Sequence, residues 1–317
     1  MGISSLRDAS KKARENINTN EVKYGLNSAS NFLFYGSTNG KSVLSLTAIS
    51  ESTEPMLVVS AAGASQYLSD RYPNVVFRTA STLKEAENIS DELNESYKIL
   101  QIIKNAKTKE NITAIKEKVF IPKYYRGNEE EGEQDFNYLL KLASENKFIF
   151  SRVIVEECDV LSSYVQDKVE LQFNTEVLGE DKSLRGKDWS ALSSELLAFY
   201  SKWLRLPCVT ILATGDKAPG EREGLKMFIP ALCTGSGQRQ LISMIGNVFR
   251  VYSNEDGYFV QVKPDKTSLI RSKIYPLNTD FSKIDTNLNI TNEPEKFWQM
   301  IEDLKKGDYS IRKNEKE

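Results

Sequence analysis

The chain has 317 residues, enough for one large domain or two small ones. About 40% of the residues are hydrophobic and 27% are charged, a composition typical of globular proteins. The 42 lysines and arginines nearly balance the 44 aspartates and glutamates. The resulting net charge of −2 excludes a global positive field, so any contact with nucleic acid must be local. The absence of histidine excludes histidine general bases, Ser-His-Asp and Cys-His nucleophile systems, and histidine-ligated metals.

Three widely spaced cysteines, Cys158, Cys208 and Cys233, form no Cys-x-x-Cys pair. We therefore predict three reduced, buried thiols, as in a cytoplasmic protein. No apolar run approaches the roughly 18 residues that a membrane-spanning helix needs. The basic residues near the start are not followed by the apolar region of a signal peptide. The sequence predicts a cytoplasmic protein without a membrane partner.

The amino-terminal half alternates strands with helices. Residues 1–30 are polar and predict a tail or a weak helix. An apolar strand at 31–35 precedes a helix at 42–49, and further strands are predicted at 56–59 and 74–77. Parallel strands need such crossover helices between them.

The middle of the chain contains a predicted insertion. Thr82 and Glu85 have the spacing of a capping box and open a helix with an apolar stripe that extends to Ile103. Residues 104–132 are rich in lysine and then acidic, which indicates a solvated insertion. A further amphipathic helix is predicted around residues 136–143.

The second half repeats the alternation. An apolar strand at 153–155 ends in two glutamates, and a helix that Asp188 caps places Trp189 and Trp203 on its apolar stripe. The run 208–214 reads as a strand buried on both faces.

The remaining elements complete a predicted α/β fold with a mainly parallel sheet covered by helices. A loop rich in glycine and basic residues is predicted at 215–240, a hairpin at 248–262 and a last helix at 294–304. We expect one core over residues 31–275, followed by a carboxyl-terminal helix and charged tail over 276–317.

The most informative motif follows the first strand. Gly36 and Gly40 enclose three residues and precede Lys41 and Ser42 in a strand–loop–helix context. In a P-loop, backbone amides and the helix start cradle phosphates, the lysine reaches the terminal phosphates and the hydroxyl binds Mg²⁺. The usual spacing encloses four residues, so this loop is one residue shorter. The alternative interpretation is an ordinary strand-to-helix turn. The predicted nucleotide-binding residues are Gly36, Ser37, Thr38, Asn39, Gly40, Lys41, Ser42 and Val43.

Two later strands end in residues that suit the same chemistry. Glu156 would hold Mg²⁺ with Ser42, and Glu157 would orient or deprotonate the attacking water. The usual first acid is aspartate, so Glu157 or Asp159 is the alternative acid on the metal side. Thr214, at the end of its strand, occupies the position of a γ-phosphate sensor.

The chain resembles the RecA-type core ATPases that bacteriophages encode as recombination proteins. The resemblance rests on residues 32–42, residues 153–157 and the helix opening at Asp188-Trp189-Ser190, which leads into residues 206–217. It extends over about residues 30–275. Such proteins often carry a histidine near the end of the sensor strand, where this chain has Thr214-Gly215-Asp216. The missing histidine and the shortened loop bear on whether the chain hydrolyses ATP more than on whether it binds ATP.

The resemblance implies a P-loop NTPase with a RecA-like core that binds ATP and Mg²⁺. It also implies self-association with nucleotide at subunit interfaces, and contact with single-stranded DNA through the loops at 159–187 and 215–240. The candidate DNA-binding residues of the second loop are Lys217, Arg222, Lys226 and Arg239. Arg271 and Lys273 are candidates to reach the γ-phosphate of a neighbouring subunit.

We therefore expect an ATPase that acts on single-stranded DNA in phage recombination, replication or repair, within the cytoplasm of an infected cell. A non-hydrolysing nucleotide-binding scaffold or host-interaction protein is the alternative. A small-molecule kinase is a third class, against which the chain offers no arginine-rich lid segment.

Overall fold

The computed structural model describes eleven strands and the helices that cover them. The described residues are 31–38, 40–47, 55–63, 66–68, 72, 75–106, 139–145, 147–174, 186–217, 227–232, 235–275 and 284–305. Residues 1–30, Asn39, most of the predicted insertion, Cys233, Arg222 and Lys226 lie outside them, so the predictions made for those residues stay predictions.

A nine-stranded, mostly parallel sheet forms the centre of the protein. The eleven described strands, nine of which belong to this sheet, are β1 (Asn31–Tyr35), β2 (Met56–Ser60), β3 (Val75–Thr79), β4 (Arg152–Val155), β5 (Val209–Thr214), β6 (Asp216–Lys217), β7 (Ile229–Pro230), β8 (Asn247–Asn254), β9 (Gly257–Gln261), β10 (Arg271–Ser272) and β11 (Asn287–Asn289). The sheet order is β11-β9-β8-β1-β5-β4-β2-β3, and β10 also pairs with β8. All strands from β8 to β3 in this order run parallel, whereas β9, β10 and β11 pair antiparallel with their neighbours. Strands β6 and β7 form a separate antiparallel pair.

Helices cover both faces of this sheet. They are α1 (Gly40–Leu46), α2 (Leu83–Asn105), α3 (Cys158–Asn174), α4 (Gly186–Leu204), α5 (Gly235–Met244) and α6 (Glu295–Lys305), and residues 139–144 are also helical. Thr82 caps α2, because its hydroxyl oxygen accepts the Glu85 amide at 3.2 Å, as the capping pattern predicts. The mixed α/β architecture with a mainly parallel sheet is confirmed.

Strand β1 is an interior strand of the sheet, and it lies between two parallel neighbours, β5 and β8. All five of its residues are buried. Leu33 and Tyr35 pack into the core on one face, whereas Phe32 and Phe34 pack into the core on the other. A strand buried on both faces is mainly apolar, which explains the run from Phe32 to Tyr35, and the buried Asn31 side-chain amide donates to the carbonyl oxygen of Leu204 at 3.1 Å.

The carboxyl-terminal helix α6 and strand β4 fix the far end of α1. The indole Nε1 of Trp298 donates to the carbonyl oxygen of Leu44 at 2.8 Å. The Arg152 guanidinium donates to the carbonyl oxygens of Ser45 and Thr47 at 2.6 and 2.8 Å and lies 4.2 Å from the Trp298 ring centroid. Burial lowers the pKa of Arg152 to about 10, so it remains charged at neutral pH. These donors satisfy carbonyls that the short helix leaves without partners.

Three sequence-based assignments in the second half are wrong. The predicted loop at 159–187 is largely helical, because α3 extends to Asn174 and α4 begins at Gly186, so Asp188 lies inside α4 rather than at its cap. Trp189 is 42% exposed, since it lies in the first turn of α4, whereas Trp203 is buried as expected.

The predicted loop at 215–240 is also more ordered than expected. It contains the β6–β7 pair and the start of α5, so that Lys217 lies on a strand and Arg239 is exposed on a helix. Backbone pairing of Asp216 with Pro230 brings the start of this segment against its middle, a contact that local sequence does not reveal.

Cys158 and Cys208 are free and buried, as expected. Among the described residues, none of the helices has both the length and the apolarity needed to cross a bilayer.

Replacing Trp298 by alanine should destabilise the protein by about 3–5 kcal/mol, the usual cost of deleting a buried aromatic side chain. The ring is 4% exposed, contacts Phe32 edge-on and donates to Leu44. Urea unfolding followed by circular dichroism measures the change. Trp189→Ala is the matched control, and we expect it to cost less than about 1 kcal/mol because that ring is exposed. Equal losses for the two variants would contradict this account of the α6 anchor.

Candidate functional site

The candidate site lies at the edge of the sheet where the parallel strands end. Gly36 follows β1, Gly215 follows β5 and Glu156 follows β4. The chain leaves β1 toward β2 on one side, whereas the segment after β5 leads to β8 on the other. In open α/β sheets, a crevice that receives ligands forms where connections diverge in this way.

The loop after β1 is pressed against the β8–β9 hairpin. Gly36 adopts a φ of +144°, and a Cβ atom built there would lie 1.8 Å from the carbonyl oxygen of Val251. Only glycine satisfies both the backbone conformation and this close approach. At Gly40 a Cβ would meet the Tyr258 ring at 3.0 Å. The hairpin therefore covers one side of the loop.

Lys41 is directed back into the loop. Its Nζ donates to the carbonyl oxygens of Gly36 and Thr38 at 2.5 and 2.7 Å. The Gly36 amide donates to the carbonyl oxygen of Thr214, and the Gly40 amide donates weakly to the Thr38 hydroxyl at 3.4 Å. A phosphate entering the loop would compete with carbonyl oxygens for the protons of Lys41.

Three carboxylates act on the Lys41 ammonium. Burial lowers the pKa of Lys41 below its ordinary value, and the charges of Asp159, Asp216 and Glu156 oppose that shift, in this order of strength. A cation with several carboxylates nearby can hold the phosphates and leave acids available for a metal ion. The strands β1, β4 and β5 bring these four residues together from distant parts of the chain.

The two glutamates after β4 have different environments. Glu156 is 3% exposed and contributes to the field at Lys41. Glu157 adopts a φ of +53°, which is uncommon for a residue with a side chain. Its Oε2 accepts hydrogen bonds from the Ser60 hydroxyl at 2.5 Å and from the Ala62 amide at 2.7 Å. Glu157 is thus bound to the end of β2.

Arg250 is the main site residue that the sequence reasoning missed. It lies opposite Tyr35 in the β1–β8 register. Its guanidinium pairs with Asp216 at 3.0 Å and stacks 3.6 Å from the Phe228 ring centroid. Asp216 therefore interacts with Arg250 by contact and with Lys41 through its field. A charged residue between the buried Phe249 and Val251 is the sequence signal that could have revealed it.

The remaining sequence-predicted residues are dispersed around the site. The Thr214 hydroxyl donates to the carbonyl oxygen of Ala231 at 3.1 Å, so its proton is already engaged. Arg271 donates to the carbonyl oxygen of Ile242 at 3.3 Å, while Lys273 is exposed. The structure brings none of Lys217, Arg239, Arg271 or Lys273 into contact with Lys41 among the pairs it describes.

A cavity of about 290 Å³ adjoins the first turn of α1. Gly40 and Val43 lie on one side, and two exposed tyrosines, Tyr67 and Tyr258, also line it. Tyr67 belongs to a short 3₁₀ turn after β2, and Tyr258 belongs to the β8–β9 hairpin. A planar ring that entered this cavity would meet two aromatic side chains.

The residues present fit the way in which proteins bind Mg²⁺ with a nucleotide. Within the described ranges, no group of three or more carboxylate, cysteine or histidine side chains could hold a metal ion unaided. Mg²⁺ normally retains water and binds through one or two protein oxygens together with substrate phosphates. Ser42 and the buried Glu156 are the residues that would supply those oxygens, with Asp159 as the alternative acid.

Comparison with known proteins gives little independent information. No family model and no curated protein match the sequence. Among solved structures, the chain is similar to a KaiC-like protein from the hyperthermophilic archaeon Pyrococcus horikoshii OT3. The two share 10% identity over 77% of this chain and 79% of that chain, with a TM-score of 0.33. At this identity and TM-score, the likeness assigns no function to the chain.

Gly36→Ala should destabilise the protein by about 3 kcal/mol or more, because the added methyl would overlap the Val251 carbonyl and occupy a strained φ. Chemical unfolding measures the loss. Gly40→Ala is the matched control in the same loop, because its new methyl would meet a movable tyrosine ring. A Gly36→Ala variant as stable as Gly40→Ala would contradict the close packing of loop and hairpin.

Proposed function

We propose that the chain is an ATP-binding protein with a RecA-like core that hydrolyses ATP to ADP and phosphate. The observation that carries the proposal is the half-buried Lys41, which follows a glycine-bounded loop at the end of the central strand and lies in the field of three carboxylates. A buried lysine at a sheet edge suits the neutralisation of phosphate charge. The acids around it suit the metal ion that accompanies a triphosphate.

Each site residue has a role in the proposed reaction. Lys41 would exchange its loop carbonyls for phosphate oxygens, and Ser42 and Glu156 would hold Mg²⁺, which would supply charge neutralisation on the phosphates. Glu157 orients the attacking water. Strand β5 lies between β1 and β4, so Glu156 is two inter-strand spacings, about 10 Å, from β1. This separation suits an acid that would help to hold the metal ion rather than contact Lys41 directly.

The cavity beside α1 is the proposed position of the nucleobase. It begins at Gly40 and Val43, so a triphosphate in the loop would direct its base toward Tyr67 and Tyr258. Stacking on tyrosine is tolerant of base identity and contributes about 1–3 kcal/mol per base in single-stranded complexes. ATP should therefore bind more tightly than tripolyphosphate.

The proposal extends to self-association and to single-stranded DNA, in recombination, replication or repair of the kind that bacteriophage proteins perform. Arg271 and Lys273 would act on the nucleotide of a neighbouring subunit. Two features support a contact with DNA. Arg239 is exposed on α5, and the sequence between the paired strands β6 and β7 contains glycines and basic residues. Cations on such a segment suit the tracking of a phosphate backbone.

A second candidate function is a nucleotide-binding scaffold or host-interaction protein that does not hydrolyse ATP. Two observations favour it. Lys41 is bonded to its own loop, and Glu157 is bonded to the end of β2 rather than placed beside Lys41. Nucleotide binding without turnover, even with saturating single-stranded DNA, would select this candidate.

Lys41→Ala should abolish ATP binding, because no other described cation lies in the loop to neutralise the phosphates. Isothermal calorimetry with Mg-ATP and with tripolyphosphate measures the affinities of the wild-type and variant proteins. Lys98→Ala, which removes an exposed lysine on α2, is the matched control and should bind as the wild type does. Unchanged affinity in Lys41→Ala would exclude the loop as the nucleotide site.

Charge reversal at Lys226 and Arg239 should weaken binding of single-stranded DNA and make its salt dependence shallower by about one unit of slope per lost contact. Fluorescence anisotropy over a salt series measures both quantities. Arg205→Glu reverses an exposed arginine that precedes β5, at the opposite edge of the sheet, and should leave DNA binding unchanged. If the charge reversals at Lys226, Arg239 and Arg205 weakened DNA binding equally, the DNA contact would lie outside this segment.

A further inference from the structure

The carboxylate of Glu157 is held on the side of β4 that faces away from the phosphate loop. In the sheet, β5 and β1 lie on one side of β4, and β2 lies on the other. Oε2 of Glu157 accepts hydrogen bonds from the Ser60 hydroxyl, at the end of β2, and from the Ala62 amide two residues further on. Strand β2 is three inter-strand spacings, about 14 Å, from β1. The carboxylates that act on Lys41 are those of Asp159, Asp216 and Glu156.

A chain of hydrogen bonds continues from Glu157 to the aromatic cavity. The Ser60 hydroxyl donates a hydrogen bond to Glu157, and its oxygen accepts a hydrogen bond from the Gly63 amide at 2.8 Å. The Gly63 carbonyl oxygen in turn accepts the Gln66 amide at 3.0 Å. Gln66 begins the 3₁₀ turn that carries Tyr67 into the cavity beside α1. The turn after β2 is therefore bonded to Glu157 at one end and lines the cavity at the other.

We propose that Ser60 is a positioning residue that retains Glu157 in a resting orientation. A base that enters the cavity contacts Tyr67 and moves the turn after β2, and this movement releases Glu157 toward the attacking water. The inference rests on the proposed ATPase function and adds its regulation. In this inference the hydrogen bonds that hold Glu157 at β2 can be released. In the non-hydrolysing scaffold, by contrast, Glu157 would stay bonded there permanently.

The backbone of Glu157 agrees with this assignment. A φ of +53° is costly for a residue with a side chain and persists only when surrounding contacts impose it. The two hydrogen bonds to Oε2 are such contacts: one comes from Ser60, the last residue of the buried strand β2, and the other comes from the Ala62 amide two residues further on. Loss of one donor favours relaxation of the backbone and departure of the carboxylate from β2.

The test is the rate of tripolyphosphate hydrolysis by Ser60→Ala, measured beside its affinity for tripolyphosphate, because this probe fills the loop and has no base to move the turn after β2. One charge-assisted hydrogen bond is lost, so the resting orientation should be depopulated and the turnover of tripolyphosphate should rise roughly tenfold. The dissociation constant for tripolyphosphate should stay unchanged, because the bonds of Ser60 to Glu157 and Gly63 lie outside the phosphate loop. Ser96→Ala removes an equally buried serine on α2 and should leave turnover at the wild-type level.

The double variant Ser60→Ala with Glu157→Gln decides whether the gain acts through Glu157. We expect it to bind ATP and to lose the gain. Turnover of tripolyphosphate in Ser60→Ala at or below the wild-type level, with its affinity for tripolyphosphate intact, would overturn the inference and leave the nucleotide site in place. A gain that survives Glu157→Gln would also overturn it. Absence of ATP binding by the wild-type protein would instead exclude the proposed function, and the inference with it.

Discussion

The structure of the candidate site depends on the close packing of Gly36 against the backbone of Val251. This contact brings the β8–β9 hairpin over the loop after β1 and gives Gly36 a φ that other residues rarely adopt. At the other end of the same short loop, Lys41 reaches back to the carbonyl oxygens of Gly36 and Thr38. The glycine thus determines where the ammonium lies, and the ammonium determines where an anion can bind.

The rest of the fold supports that loop from its far end. Helix α1 has only seven residues, so its terminal carbonyls need partners from other elements. Trp298 and Arg152 supply those donors, one from the carboxyl-terminal helix and one from β4. Phe32 and Phe34 pack beside Trp298, so the strand before the loop and the helix after it share one aromatic cluster. Residues close to the end of the chain therefore help to place a loop near its start.

Electrostatics links the loop to the other strand ends. Asp216 forms a contact pair with Arg250 and also contributes to the field at Lys41, so that cations from two elements share one carboxylate. Arg250 in turn stacks on Phe228, next to the β7 strand. A change in the charge near Lys41 would be felt at Asp216, at the base of the β6–β7 pair. The neighbouring acid, Glu157, belongs to a different network that extends through Ser60 to Tyr67.

The sequence by itself determined the alternation of strands and helices, the mainly parallel sheet and the position of the Gly36–Lys41 motif at a strand end. These features depend on local apolar runs and glycines, which the chain carries within short windows. Only the tertiary structure decided that Glu157 is bonded to Ser60, that Arg250 pairs with Asp216 and that Tyr67 and Tyr258 share a cavity. Each of these contacts joins residues about 30 to 190 positions apart, and their pairing depends on strand order, which no local pattern encodes. Trp189 illustrates the same limit, because helical spacing placed it on the apolar stripe whereas the packed structure leaves it exposed in the first turn of α4.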